Sequence, residues 1–553
     1  MVRRTHALLL LFTALPLLGG DCAGDGGGGD PLIIRVEEID PRCTPLVGQF
    51  PPGFDFMPGG RGQAVAVQTS PPSVVFLDID SEPPRLLAET TIPPLPFDSD
   101  GDGLDDGDAR LCEADTFSKK PVLGTAMAVS QDLVFVPASG YEEVIFFTPP
   151  NGELTRLRVT NPISTDDYFA EDYPYLPAEG ESEFLSAVSS KVCIYLSPDA
   201  PVDPVDSTGL PMGQNACCDR EPGVPSYVTR FTSVAGTALG AGRLFVATSN
   251  LYHPARARFF PGTVLIYDFD QSSDPPALQP NTQTPYVFTS AFNPTALTAH
   301  QTAHGRELIL VTLTGAIGAG VGGSNIKTEG AIDVIDAASG RLVATVPLGL
   351  AGPSFYPLAI DPARRVALTG STSLRRLYAF DLAPLDDERL YDRDEIVRLD
   401  GTDPDFPDAR IYDADSPFVI PARPDGPPEA VCAGWTHVAV NALGNRVFAT
   451  DNCDGTLSIL DLEIPAHACQ AAQPAEEECC NTIPLPQACL RLQRVEIVLA
   501  PSTAESELRQ PGQLGVRPGD PGRDYSSPDI YFIASVPEGQ LCGVRVDSLS
   551  PSR

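Results

Sequence analysis

The run DSDGDGLDDGD at 98–108 concentrates more chemistry than any other stretch of this chain. Asp98, Asp100 and Asp102 alternate, Gly103 permits a tight turn, and Asp105, Asp106 and Asp108 follow. Calcium is a hard cation that takes about six to eight oxygen ligands, so alternating carboxylates on a turn can converge on one ion. The expected ligand set is the carboxylates of Asp98, Asp100, Asp102, Asp106 and Asp108 with the backbone carbonyl of Leu104. The ion's role would be to order the loop. The competing reading is an acidic loop that holds nothing.

The spacing resembles EF-hand-like loops and thrombospondin type 3 repeats. It departs from them at the twelfth position, where Ala109 stands, and Asp108 or Glu113 would have to substitute.

Thirteen cysteines form the second chemical set: 22, 43, 112, 193, 217, 218, 432, 453, 469, 479, 480, 489 and 542. Without Cys22 the set is even, which in an exported chain favours disulfides. Metal is the rival reading, but no C-x-x-C pair seeds a zinc site or attaches haem. Cys432 and Cys453 flank one expected strand pair and would staple it.

Histidine offers less. His300 and His304 have i, i+4 spacing, but HQTAHGRE falls in an expected strand and turn, without an evident third ligand. His300 and His437 are placed on innermost strands, where a histidine can act as a general base or simply be hydrogen-bonded. No G-x-S-x-G supplies a serine nucleophile, and GAGVGGS at 318–324 lacks the lysine of a phosphate loop. Trp435 reads as core.

The elements that would position these residues are strands. The chain has 553 residues with 48 Gly and 57 Pro, a composition that breaks helices and marks turns. One unit recurs: an apolar strand, a polar or glycine turn, and a second strand often ending in Asp. Copies begin with QAVAVQT at 63–69, LVFVPA at 133–138, RLFVATSN at 243–250, ELILVTLT at 307–314, RVALTGS at 365–371, NRVFATDN at 445–452 and DIYFIAS at 529–535. Further short strands flank several copies, such as GTAMAVS at 124–130, THVAVNA at 436–442 and RLVATVPL at 341–348. The expectation is an all-β chain forming a single β-propeller of about seven four-stranded blades over 31–549. Radial stacking buries the flanks of sheets that cannot bury themselves. PLIIRVEEI at 31–39 is an orphan strand that would complete the last blade, bringing Cys43 near Cys542.

The pattern D-P-x-x-R-x-x-x-T-G…L-x-x-F-D-L at 361–382, and the run from Gly444 to Leu462, resemble the YVTN-type bacterial surface propellers, which have lactonase-like relatives. The resemblance implies the fold and leans toward a surface role. It covers the repeat cores and not the spacers near 90–122, 150–232, 384–430 and 464–524. Those spacers, with shorter ones at 251–261 and 315–329, are expected to build up one rim, to carry little regular structure and to be fixed by disulfides.

Residues 1–22 read as an export signal: Arg3 and Arg4, then an apolar run from Ala7 to Leu18 too short to span a bilayer. They resemble a bacterial lipoprotein signal with Cys22 as the lipidated residue, although Asp21 stands where that signal has a small residue. Residues 23–30 would be a glycine-rich tether. The expected location is the bacterial cell envelope, outer membrane or periplasm, with membrane contact through the lipid only. Plain secretion is the alternative.

Net charge is −36, from 73 acidic and 37 basic residues, which disfavours nucleic acid as a partner. Two functions remain. One is a non-catalytic binding or scaffold module whose insertion-rich face takes an envelope protein or glycan. The other is a lactonase-like hydrolase using the central channel, which would need several acidic, Asn or His side chains converging there.

Overall fold

The computed structural model describes most of residues 53–92, 126–159 and 234–412. It also describes strands at 32–35, 42–45, 437–440, 446–451, 456–463, 491–498, 511–516, 530–534 and 540–544. Val, Ile, Leu and Phe crowd the middle strands, and in blades A, B, D and E side chains on both faces of such strands are buried.

Blade A is Gly53–Phe56, Gln63–Thr69, Pro72–Asp78 and Arg85–Thr91, hydrogen-bonded in that order. Blade B follows with Ala128–Val129, Val134–Ala138, Glu143–Phe147 and Thr155–Arg158. Blade C has Val234–Gly240, Arg243–Thr248 and Pro261–Asp270, and its fourth position is shared by Ala277–Pro280 and Tyr286–Phe292. Blade D is Pro294–Gln301, Glu307–Leu313, Gly330–Asp336 and Arg341–Gly349. Blade E is Ala359–Asp361, Val366–Gly370, Leu377–Asp381 and Ile411–Tyr412.

Two further sheets are composites. His437–Val440, Arg446–Asp451, Thr456–Glu463 and Arg491–Val498 gain the early strand Leu32–Arg35, which runs parallel to the last of them. Pro511–Val516, Ile530–Ala534 and Gln540–Val544 gain Arg42–Pro45 as their outer strand.

First strands of neighbouring sheets touch. Val234–Gly240 lies against both Ala128–Val129 and Pro294–Gln301, and Pro511–Val516 lies against both His437–Val440 and Gly53–Phe56. The fold is a β-propeller. In place of about seven like blades, five are made from consecutive chain, and the other two sheets mix early and late strands. The orphan strand expected to complete the last blade instead joins the sheet before it, and Arg42–Pro45 completes the last. The reason is length: the early segment is long enough to lay one short strand on each of two neighbouring sheets.

Apolar clusters between sheets hold the blades together. Phe76 of blade A meets Phe147 of blade B edge to face, with ring centroids 5.8 Å apart, and Phe135 of blade B meets Phe269 of blade C at 5.5 Å. Phe245, Ile266, Ile309 and Ile335 knit C to D, while Leu310, Val334, Tyr378 and Phe380 knit D to E. Polar ties cross the same seams. Thr237 Oγ1 of blade C accepts from the Ala128 N–H at 2.9 Å. Asp333 of blade D accepts the Ser290 N–H of blade C at 2.7 Å. Gly340, at φ 70°, turns so close to blade C that a Cβ there would stand 2.8 Å from Ile266 Cδ1. The positive φ favours glycine there, since a side chain would be strained in that conformation even if Ile266 gave way.

Candidate functional site

Antiparallel order assigns every connection to one of two ends of the propeller. Links from an outer strand to the next first strand share an end with the turns between second and third strands. Turns between first and second strands, and between third and fourth, lie at the opposite end. The expectation of a single decorated rim is therefore corrected. Residues 383–410 lie between the third and fourth strands of blade E, and 464–490 likewise separate Thr456–Glu463 from Arg491–Val498. The 383–410 insertion leaves the propeller at the end opposite the one expected.

The 383–410 segment is also ordered, where little regular structure was expected. Its sequence reads as acidic spacer, yet Leu385, Leu390, Val397, Leu399, Phe406 and Ala409 are all buried in the D–E cluster. Two short 3-10 turns, Ala383–Asp386 and Glu388–Leu390, open it. Val397–Arg398 then pairs in parallel with Ala344–Thr345 as a fifth strand on blade D, and the Leu399 N–H continues to the Thr345 carbonyl at 2.9 Å. A segment belonging to blade E thus caps blade D.

Charge fixes the same segment. The Arg306 guanidinium, at the turn between the first two strands of blade D, donates to Glu388 at 2.7 Å and lies 3.5 Å from Asp336. It stacks over the Tyr391 ring at 3.9 Å, and the Tyr391 hydroxyl donates to the Leu385 carbonyl at 2.5 Å. Asp386 accepts the Ala303 N–H at 2.7 Å and pairs with Arg365. Within the segment Arg389 holds Asp387, Arg393 holds Asp403 and Asp405, and Arg398 holds Asp400. The Arg389 hydrogen bond keeps the Asp387 carboxyl below its ordinary range.

With those guanidinium groups engaged, the outward side carries Asp392, Asp394 and Glu395, all exposed, beside Ile396 at 47% exposure. Such a surface is electrostatically complementary to cationic groups, with one apolar tip beside the charges. The signal in the sequence was the apolar set Leu385, Leu390, Val397 and Leu399 threaded through DDERLYDRDE and its continuation.

At the axis the geometry is different. Asp55, on the first strand of blade A, is pushed up to about 6 by burial, against the Phe56 N–H bond at 2.7 Å that lowers it. His437 opens the first strand of its sheet, and its ring meets Tyr356 edge to face at 5.0 Å. His300 lies near the far end of the first strand of blade D, where burial and the Arg365 charge lower its pKa. The two strand histidines therefore sit at opposite ends of their strands. His304 is exposed in the turn beyond. Among the described residues, no three His, Cys, Asp or Glu side chains come together as a metal centre would require.

The expected calcium ligands Asp98, Asp100, Asp102, Leu104, Asp106 and Asp108 lie outside the described residues, as do Cys22, Cys432, Cys453 and Trp435.

No family model matches the chain, and no curated protein matches it in sequence. Solved structures match at low similarity. The β-propeller domain of Cps50 (Swd1) from Myceliophteria thermophila is 11% identical, with a TM-score of 0.41, over 91% of this chain and 99% of that domain. Sqt1 of Saccharomyces cerevisiae is 8% identical, with a TM-score of 0.40, over 94% of this chain and 99% of that one. A putative 6-phosphogluconolactonase of Bacteroides fragilis is 8% identical, with a TM-score of 0.41, over 81% of this chain and 84% of that one.

Proposed function

We propose that this chain is a non-catalytic binding or scaffold module, anchored to the cell envelope, that presents insertions from a rigid propeller. The observation that carries the reading is the 383–410 segment. Its apolar residues are sunk into the D–E seam and its described arginines are internally engaged, which leaves a fixed acidic surface tipped by Ile396. A preorganised surface of this kind costs little to order on binding. It suits a cationic patch on an envelope protein better than an anionic glycan. In this reading Cys22 carries the lipid, residues 23–30 form the tether, and calcium at 98–108 stiffens a second insertion.

The test compares the wild-type protein with a D392N/D394N/E395Q/I396S variant, each immobilised and exposed to envelope extract at low and high salt. The expected result is a partner retained by the wild type at low salt, released at high salt and absent from the variant. Equal capture by both proteins, or none by either, overturns the reading.

A further inference from the structure

Cys43 and Cys542 are the two cysteines that lie in described strands, and they stand directly opposite each other. Cys43 is the second residue of Arg42–Pro45, Cys542 the third of Gln540–Val544, and the antiparallel register pairs them Cα to Cα. Flanking pairs keep the same register without a shift: Arg42 with Gly543, Thr44 with Leu541 and Pro45 with Gln540. Directly opposed residues of an antiparallel ladder have Cα atoms about 4.5 or 5.5 Å apart, depending on the hydrogen-bonding position. A disulfide spans Cα separations of about 4.4–6.8 Å, so either kind of position accepts one.

We propose that Cys43 and Cys542 form a disulfide that locks the early strand onto the last sheet and so fastens the propeller ring. The step is thiol–disulfide exchange with an external disulfide. One cysteine thiolate attacks that disulfide and releases its first thiol. The second cysteine then attacks the mixed disulfide, forming the Cys43–Cys542 bond and releasing the second thiol. Two cysteine thiols are oxidised, one external disulfide is reduced to two thiols, and the protons balance.

The lock has a mechanical logic. Arg42–Pro45 holds its sheet by four paired residues at an outer edge, where a short strand frays readily. A covalent bond between positions so distant in sequence removes a large share of the unfolded chain's freedom.

The test refolds the full-length chain with a mixture of oxidised and reduced glutathione, blocks residual thiols with an alkylating agent, and maps peptides without reduction. The expected result is a linked peptide pair carrying Cys43 and Cys542, with neither residue alkylated. In the Cys43→Ser variant Cys542 should become alkylated, and in Cys542→Ser Cys43 should. Both variants should lose a few degrees of Tm, while wild type treated with a reductant falls by at least as much. Alkylation of either residue in the oxidised wild type, or linkage of either to another cysteine, overturns the proposal.

Discussion

The guanidinium of Arg306 and the ring of Tyr391 are stacked at 3.9 Å, although one belongs to a turn of blade D and the other to an insertion of blade E. The contact fastens the insertion to its neighbour, with Glu388 and Asp336 closing on the same cation.

Arg306→Ala should therefore loosen residues 383–392 while leaving the blades intact. A partly desolvated cation–π contact with an ion pair contributes about 1–2 kcal/mol. Hydrogen exchange should quicken across that segment and not in 307–313. Arg306→Lys, which keeps the charge and loses the planar stack, should fall between the two. Unchanged exchange in Arg306→Ala would show that the apolar residues alone hold the segment.

Phe76 is fully buried at the A–B seam against Phe147. Truncating it to alanine should cost about 3–5 kcal/mol, because the surrounding strands relax only partly into the cavity. Chemical denaturation read by intrinsic fluorescence measures this. Phe76→Leu should lose less.

Asp333 gives a pH signature. Burial pushes its carboxyl up to about 6, while bonds from Ser290 and Thr345 pull it down. The unfolded value lies near 3.9. Between the two values the folded state holds a proton that the unfolded state has released, so Asp333 lowers stability as pH rises through that window. The loss is complete above about pH 6 and amounts to roughly 2–3 kcal/mol. Asp333→Asn lacks the titration. Relative to wild type, the variant should gain that amount between pH 4 and pH 7 in urea denaturation. A constant difference between the two proteins would mean that Asp333 is already ionised at pH 4.

Calcium is tested by titration calorimetry of the full chain. Saturable binding is expected at millimolar calcium or below, and the D100N/D102N variant should lose it. No heat in the wild type removes the calcium loop from the proposed function.

The two middle strands of every unit were legible because buried strands advertise themselves. VFVPA, LFVAT, LILVTL and VFAT are continuous buried runs bounded by turns. The placement of 383–410 was not, because Ile411–Tyr412 is a two-residue outer strand that no periodicity can reveal. Missing that strand merged two connections into one spacer and put it at the wrong end of the propeller. Val397 pairs with Ala344 of another blade, a contact that no local pattern encodes. Closing the ring with strand 31–39 suggests only that Cys43 lies near Cys542; they stand opposed because a different early strand, Arg42–Pro45, joins the last sheet.

Leu32–Arg35 and Arg42–Pro45 are synthesised long before the strands they pair with. As the chain emerges, the five internal blades can assemble in order, but these early strands have no partners until Arg491–Val498 and Gln540–Val544 have been made. They must be kept from pairing with the edges of neighbouring nascent chains. Resistance to proteolysis at these two sheets therefore waits on the arrival of Arg491–Val498 and Gln540–Val544.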